Sequence, residues 1–165
     1  MNEILEKISS YNIFNYLLPG TLFSFSAQIT TSYKFEQDDL LIGLFLYYFI
    51  GLVISRVGSI LVEPLFKKIR LVEFSKYEDY LKAVKLDGQI ETLSESNNMF
   101  RSLISMFACL LVLISYEKLE ICYSQVAEFT PYLIIGFLIL LFAISYRKQT
   151  KYIVKRIEAA NLSDD

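Results

Sequence analysis

The sequence predicts an all-α integral membrane protein, a four-helix bundle with a cytosolic helical hairpin between spans two and three. Four apolar segments, 13–32, 40–62, 99–116 and 126–146, are separated by polar stretches. The Lys and Arg residues collect in alternate polar stretches, a pattern that distinguishes the cytosolic from the external segments of a multi-pass protein. With 54% hydrophobic residues and a mean hydropathy of +0.41, the 165-residue chain is also more apolar than a soluble domain of its size.

Spans two, three and four follow from length and apolar content. Segment 40–62 has Arg56 as its only charge, and at about 1.5 Å per residue it exceeds the ~30 Å hydrocarbon thickness of a bilayer. Segment 126–146 has Pro131 near its start, and a first helical turn tolerates proline. Segment 99–116 lies near the lower limit of about 17 residues for a spanning helix.

Segment 13–32 allows two interpretations. It contains no charge, but Pro19 and Gly20 interrupt it, and a proline removes a helical hydrogen bond. Membrane helices accept this when neighbours cover the freed carbonyl, so we expect a crossing helix; the alternative is a re-entrant or interfacial segment. Pro19-Gly20 is a hinge candidate, although Asn12 and Asn15 could instead cap a helix here, and we favour the cap.

The distribution of basic residues predicts the orientation. Of the 16 Lys and Arg residues, all but Lys34, Lys118 and Arg56 lie at the N-terminus, in or directly after the long connector, or in the tail. The positive-inside rule then places both termini in the cytoplasm of a cell inner membrane. The predicted parts are 1–62 with spans one and two, the connector 63–98, 99–146 with spans three and four, and a basic tail 147–165 that contacts lipid headgroups.

The connector 63–98 is predicted to form two helices. Ser75 to Glu78 has the pattern of a capping box, a helix follows through about Leu86, and Gly88 ends it. A second helix from Gln89 continues into span three. Short isolated helices are marginal in water, so this hairpin needs a partner: the chain's own terminal segments, a sister subunit or another protein.

Arg56 is the most conspicuous candidate residue, because a charge within a span costs free energy and tends to face protein. Ser59 and Glu63 follow on the same helical face. One interpretation is a structural ion pair of Arg56 with Glu63 near the interface. The other is a polar contact across an oligomer interface or a water-filled path.

Small residues form a stripe beside Arg56, at Gly51, Ser55 and Gly58. Small side chains spaced by one turn let membrane helices approach closely. The stripe therefore predicts helix packing, either within the bundle or between subunits.

Catalytic and cofactor motifs are not found in the sequence. Histidine is absent, which removes the commonest general base and metal ligand. The sequence also lacks a Gly-rich phosphate loop and a Ser or Cys with a recognisable base. We therefore expect no enzyme, no cofactor and no metal site, and the net charge of −2 gives no reason to expect direct nucleic-acid binding.

Three short stretches carry a resemblance: SYNIFNYLLPG at 10–20, ISRVGS at 54–59 and Glu63-Pro64. Together they resemble a group of uncharacterised small bacterial four-span membrane proteins. The overall plan resembles the membrane component of the Kiwa anti-phage defence system. That resemblance implies an oligomeric membrane subunit that senses envelope perturbation and holds a cytosolic partner, and it assigns no site residue.

These observations predict a non-enzymatic, homo-oligomeric inner-membrane protein that anchors or signals to a cytosolic protein partner through residues 63–98, as an envelope sensor in anti-phage defence. The alternative is a channel or membrane-permeabilising effector with Arg56 near its pore. A small secondary transporter fits less well, because the internal repeat expected of that class is not evident.

Overall fold

The computed structural model describes residues 13–123 and 125–161, and every regular element in these ranges is helical. The all-α prediction is confirmed. The elements are a π-helical turn (Ile13–Leu17), α1 (Leu18–Thr30), α2 (Leu40–Val57), a π-helical stretch (Gly58–Val62), α3 (Glu63–Lys68), α4 (Tyr77–Leu86), α5 (Gln89–Cys122) and α6 (Gln125–Asn161).

Within the described ranges, three helices are long and apolar enough to cross a membrane: Leu40–Lys68, Gln89–Cys122 and Gln125–Asn161. The first joins α2, the π-helical stretch and α3 without a break, and the other two are α5 and α6. They contain the predicted spans two, three and four and agree with a membrane protein. Each of the three extends beyond its apolar segment, so polar helix continues out of the span.

Side-chain caps and one left-handed residue fix several helix ends. Asp39 Oδ1 accepts from the backbone amides of Leu41 and Ile42 at 2.8 and 3.1 Å, which satisfies two donors at the start of α2. Asp87 Oδ1 accepts from the amide of Gln89, at the start of α5. After α3, Arg70 adopts a left-handed conformation with φ 57°, a common way to end a helix.

Two sequence predictions about helix ends are wrong. The predicted capping box does not form, because α4 takes Lys76 as its N-cap without a side-chain cap. Ser75 lies one residue too early to reach the amide that a cap must satisfy. Pro131 lies inside α6 rather than in its first turn, because α6 begins at Gln125.

Helix α1 packs along α2 and α5, and glycine permits the close approach. A Cβ atom at Gly20 would collide with the backbone carbonyl of Tyr47, and one at Gly51 with that of Tyr16. The chain from Tyr16 to Gly20 and helix α2 therefore pack backbone against backbone in two places. The buried apolar core beside them consists of Phe23, Ala27, Ile54 and Met106.

The segment around α1, residues 13–32, runs between opposite ends of α2 and α5. At one end, Arg56 donates to the Tyr16 hydroxyl at 3.2 Å. At the other, the backbone amide of Ser32 donates to Glu117 Oε1 at 2.6 Å. From Ile13 to Thr30 the helix extends roughly 27 Å, so it runs beside the neighbouring spans for most of their apolar length.

Helix α6 packs more loosely than the others. Leu141 is its only buried residue within the described range, and Phe142 contacts the ring of Phe49 with centroids 6.2 Å apart. Beyond the apolar segment, the ring of Tyr152 contacts that of Tyr77 on α4 at 5.9 Å. The α4–α5 helix pair is therefore in contact with the chain's own tail helix.

Candidate functional site

Glu63 is the centre of an ion-pair network that joins three helices. Its Oε1 accepts from Lys67 at 3.0 Å and lies 3.6 Å from the Lys148 ammonium, and its Oε2 accepts from Arg101 at 2.7 Å. The Glu63 side chain is 9% exposed. One nearly buried carboxylate therefore serves three cations, which come from α3, α5 and α6.

The π-helical stretch Gly58–Val62 explains how Lys148 binds beside Glu63. The amide of Glu63 donates to the carbonyl of Gly58, so the next carbonyl in this pattern, that of Ser59, would pair with residue 64. Residue 64 is proline and has no N–H. The Lys148 ammonium donates instead to the Ser59 carbonyl and to its hydroxyl, both at 2.7 Å. Such π-helical insertions are frequent at functional sites.

Arg56 does not form the predicted ion pair with Glu63 among the described residues. Its Nη2 donates to the Tyr16 hydroxyl, and its buried Nε has no hydrogen-bond partner within the described chain. The wider turns of the π-helical stretch lie between the two residues and shift the register that an unbroken α-helix would have given. Arg56 therefore has a neutral partner from the π-helical turn Ile13–Leu17 in place of a carboxylate.

These side chains enclose a cavity of about 230 Å³ that we call the basic cavity. Three of its lining residues are cations, Arg56, Arg101 and Lys148, and Glu63 is its single carboxylate. The lining is therefore positive by two formal charges. The full lining consists of Asn15, Tyr16, Ser55, Arg56, Ser59, Glu63, Asn98, Arg101, Lys148 and Tyr152.

The small-residue stripe is used within one copy of the chain. Gly51 packs against the Tyr16 carbonyl, and Ser55 is buried. At Gly58, an added Cβ would meet the Ser105 hydroxyl of α5. Of the two uses predicted for the stripe, these contacts belong to packing inside the bundle.

The hinge candidate lies at the start of α1. Pro19 is the second residue of α1 and follows the π-helical turn directly, so its missing N–H leaves a carbonyl of that turn without a backbone donor. Gly20 packs against the backbone of Tyr47. Both residues are buried. Asn15 lies in the preceding π-helical turn and is also buried, whereas Asn12 lies outside the described residues. Whether this segment bends stays a prediction.

The opposite end of the helices carries a smaller, acidic cluster. The Tyr33 hydroxyl donates to Glu120, and Thr130 donates to the other Glu120 oxygen at 2.7 Å. Tyr116 lies 2.6 Å from the Thr130 hydroxyl. Burial and the hydrogen bond to Glu120 raise the pKa of Tyr33, so its hydroxyl stays protonated. The two ends of the protein therefore differ in the sign of their charge.

Sequence reasoning grouped Arg56, Ser59 and Glu63 and missed Tyr16, Arg101 and Lys148 as members of the site. Their contacts with the grouped residues join positions far apart in the chain, which a helical pattern cannot show. The sequence carried part of this signal, because Pro64 leaves one helical carbonyl without a donor. In an unbroken α-helix that carbonyl would belong to Ile60, and only the π-helical pattern assigns it to Ser59.

The basic cavity offers hydrogen-bond donors on cationic side chains, and such donors bind anionic groups such as carboxylate and phosphate. Within residues 13–123 and 125–161, no group of three or more His, Cys, Asp or Glu side chains is placed to hold a metal ion. The sequence matches no protein-family model, and comparison with curated proteins and with solved structures found no significant match.

Proposed function

We propose that the chain is a non-enzymatic, oligomeric protein of the bacterial inner membrane that anchors or signals to a cytosolic protein through residues 63–98. The observation that carries this proposal is the uncovered apolar surface of the connector. Helix α4 has no buried residue, and Leu86 at its end is 89% exposed. Ile69, Leu71, Phe74 and Leu93 are also exposed.

Apolar surface of this kind marks interaction sites when it lies outside a membrane. On α4, the ring of Tyr77 contacts the tail residue Tyr152. The tail therefore supplies part of the partner that the hairpin needs, and the remaining apolar side chains are available to another protein.

Four spans with both termini in the cytoplasm complete the proposal. The contacts of Tyr16 with Arg56 and of Ser32 with Glu117 support a first span that crosses, because they place its ends at opposite ends of α2 and α5. The basic cavity at one end and the Glu120 cluster at the other support the orientation.

Self-association is supported by the loose packing of α6. A span with one buried residue offers most of its surface to lipid or to a second copy, and van der Waals packing drives such association in membranes. The resemblance in plan to the Kiwa membrane component adds the expectation of an envelope sensor in anti-phage defence.

The connector proposal predicts a protein cross-link at Leu86. A photo-crosslinking amino acid at this position, in the native host, should give a discrete adduct with a different protein, because the side chain is exposed on an uncovered apolar surface. The same amino acid at Gly136, which has no atom within 4 Å of an added Cβ, is the control and should give lipid or self-adducts only.

Combining Phe74→Glu with the photo-crosslinking amino acid at position 86 should remove the adduct, because a charge on the connector's apolar surface must be desolvated on binding. Self-adducts alone at Leu86, or no adduct, would contradict partner docking. A monomer in mild detergent would contradict self-association.

A channel or permeabilising effector is the second candidate, favoured by the charged lining around Arg56. Within one copy, the apolar core of Phe23, Ala27, Ile54 and Met106 lies between this cavity and the acidic end, so a pore would form between copies. Liposomes carrying the protein should then leak ions, and Arg56→Leu should change the rate at least several-fold. Tight liposomes at high protein density would exclude this candidate.

A further inference from the structure

We propose that the basic cavity binds a phosphate group, presented by an anionic lipid headgroup or by a soluble phosphate compound. The inference goes beyond the docking of a protein on the connector and holds whether or not that docking occurs. It rests on the charge, the unused donors and the size of the cavity.

Among the described residues, the charge around the cavity is not balanced. Glu63 is the carboxylate for Lys67, Arg101 and Lys148 together, and both of its oxygens are occupied. Arg56 has only the neutral Tyr16 hydroxyl as a hydrogen-bond partner among the contacts described. Cations withdrawn from water and left without a counter-charge are costly, so the cavity would be stabilised by a second anion.

The cavity also has donors without acceptors. The Nε atoms of Arg56 and Arg101 are both buried, and neither has a hydrogen-bond partner within the described residues. A guanidinium offers donors in a planar fork that matches phosphate oxygens. The Tyr16 hydroxyl accepts from Arg56, so its own proton remains available for an anion.

Size and access fit the same ligand class. A cavity of about 230 Å³ has room for a phosphate group and several waters, each with a share of liquid volume of about 30 Å³. Arg101 and Lys148 keep 22% and 29% of their side-chain surfaces exposed, so the site is open to its surroundings. In the proposed orientation it lies at the cytoplasmic end, where anionic headgroups and soluble phosphates are both within reach.

The test measures ligand-dependent thermal stability of the full chain in a neutral detergent. One arm titrates sodium phosphate against sodium chloride at equal ionic strength, and the other adds phosphatidylglycerol against the same amount of phosphatidylcholine. A ligand that binds the folded state raises the melting temperature with its concentration and affinity. We expect a saturable rise in at least one arm, which identifies the source: phosphate alone for a soluble compound, phosphatidylglycerol alone for a lipid headgroup.

Two cavity variants and one control make the result specific. The Arg56→Gln variant should need at least tenfold more ligand for the same rise in melting temperature. Arg56→Lys keeps the charge but loses the fork, so it should weaken binding several-fold, and it serves if Arg56→Gln does not fold. Lys82→Gln, exposed on α4, should titrate like the wild type.

Three outcomes would overturn the proposal: no saturable rise in either arm, stabilisation by lipid alone that phosphatidylcholine gives as strongly as phosphatidylglycerol, or unchanged titration in the Arg56 variants. None of them affects the cross-link expected at Leu86, so failure of this site and failure of partner docking are distinguishable.

Discussion

Glu63→Gln is expected to lower the stability of the folded protein by about 3 kcal/mol. The substitution keeps the size of the side chain but removes the carboxylate that, in the described part of the chain, alone pairs with Lys67, Arg101 and Lys148. Removing one partner of a buried ion pair leaves the other charge without compensation. Lys67, whose side chain is 44% exposed, can turn to water, so the cost falls mainly on Arg101 and Lys148.

Thermal unfolding in detergent, followed by the loss of the monodisperse chromatographic peak, measures this effect. A change of about 3 kcal/mol corresponds to a fall of about 6–12 °C in melting temperature for a chain of this length. Glu73→Gln, at an exposed position between α3 and α4, is the matched control and should shift it by no more than about 2 °C, since surface changes cost little.

A double-mutant cycle with Lys148→Gln separates the ion pair from other effects of the substitution. The carboxylate and the ammonium lie 3.6 Å apart. The sum of the stability losses of the two single variants should therefore differ from the loss of the double variant by at least about 0.5 kcal/mol. Strict additivity, or a Glu63→Gln variant as stable as Glu73→Gln, would show that the network does not hold the three helices together.

Gly51→Ala is expected to be the other strongly destabilising change, with a cost of at least about 2 kcal/mol. A single added methyl group would collide with the Tyr16 carbonyl, which belongs to helical backbone and cannot rotate away. The two helices must separate, and the contacts of Tyr16 with Arg56 and of Gly20 with Tyr47 would be strained as well.

Gly136→Ala is the matched control, because it makes the same chemical change inside another span. Nothing lies within 4 Å of a Cβ there. The higher helix propensity of alanine should therefore raise the stability of this variant by up to about 1 kcal/mol. Melting temperatures in the same detergent compare the two variants directly. If Gly51→Ala is as stable as Gly136→Ala, α1 does not pack on α2 as described.

The sequence predicted those parts of the fold that depend on local pattern. Apolar length identified the three long spanning candidates, and the polar stretch from Gln89 was correctly joined to span three, because α5 is one helix from Gln89 to Cys122. Both features follow from composition over tens of residues, which a single sequence reveals well.

The parts that were missed depend on a single residue of register or on tertiary contact. The capping box failed because the N-cap of α4 is Lys76, one residue after Ser75. The ion pair of Arg56 with Glu63 was inferred from an unbroken α-helix, which the π-helical stretch interrupts, although both residues line the basic cavity. Lys148 binds at Ser59 across 89 residues of sequence, and no periodicity within α6 indicates which of its basic residues turns inward.

Helix α6 continues for 37 residues, about 56 Å, and is tied to the π-helical stretch Gly58–Val62 by the bond between Lys148 and Ser59. Lys148 divides α6 unequally. Roughly 35 Å of helix lie between Gln125 and Lys148, and only about 6 Å lie between Lys148 and Tyr152. A stiff rod held at such a point acts as a lever with its fulcrum near the basic cavity. The far end is held to α5 by the hydrogen bond between Thr130 and Glu120. Once that bond opens, a sideways displacement there would reach Tyr152, and through it α4, reduced about sixfold and reversed in direction.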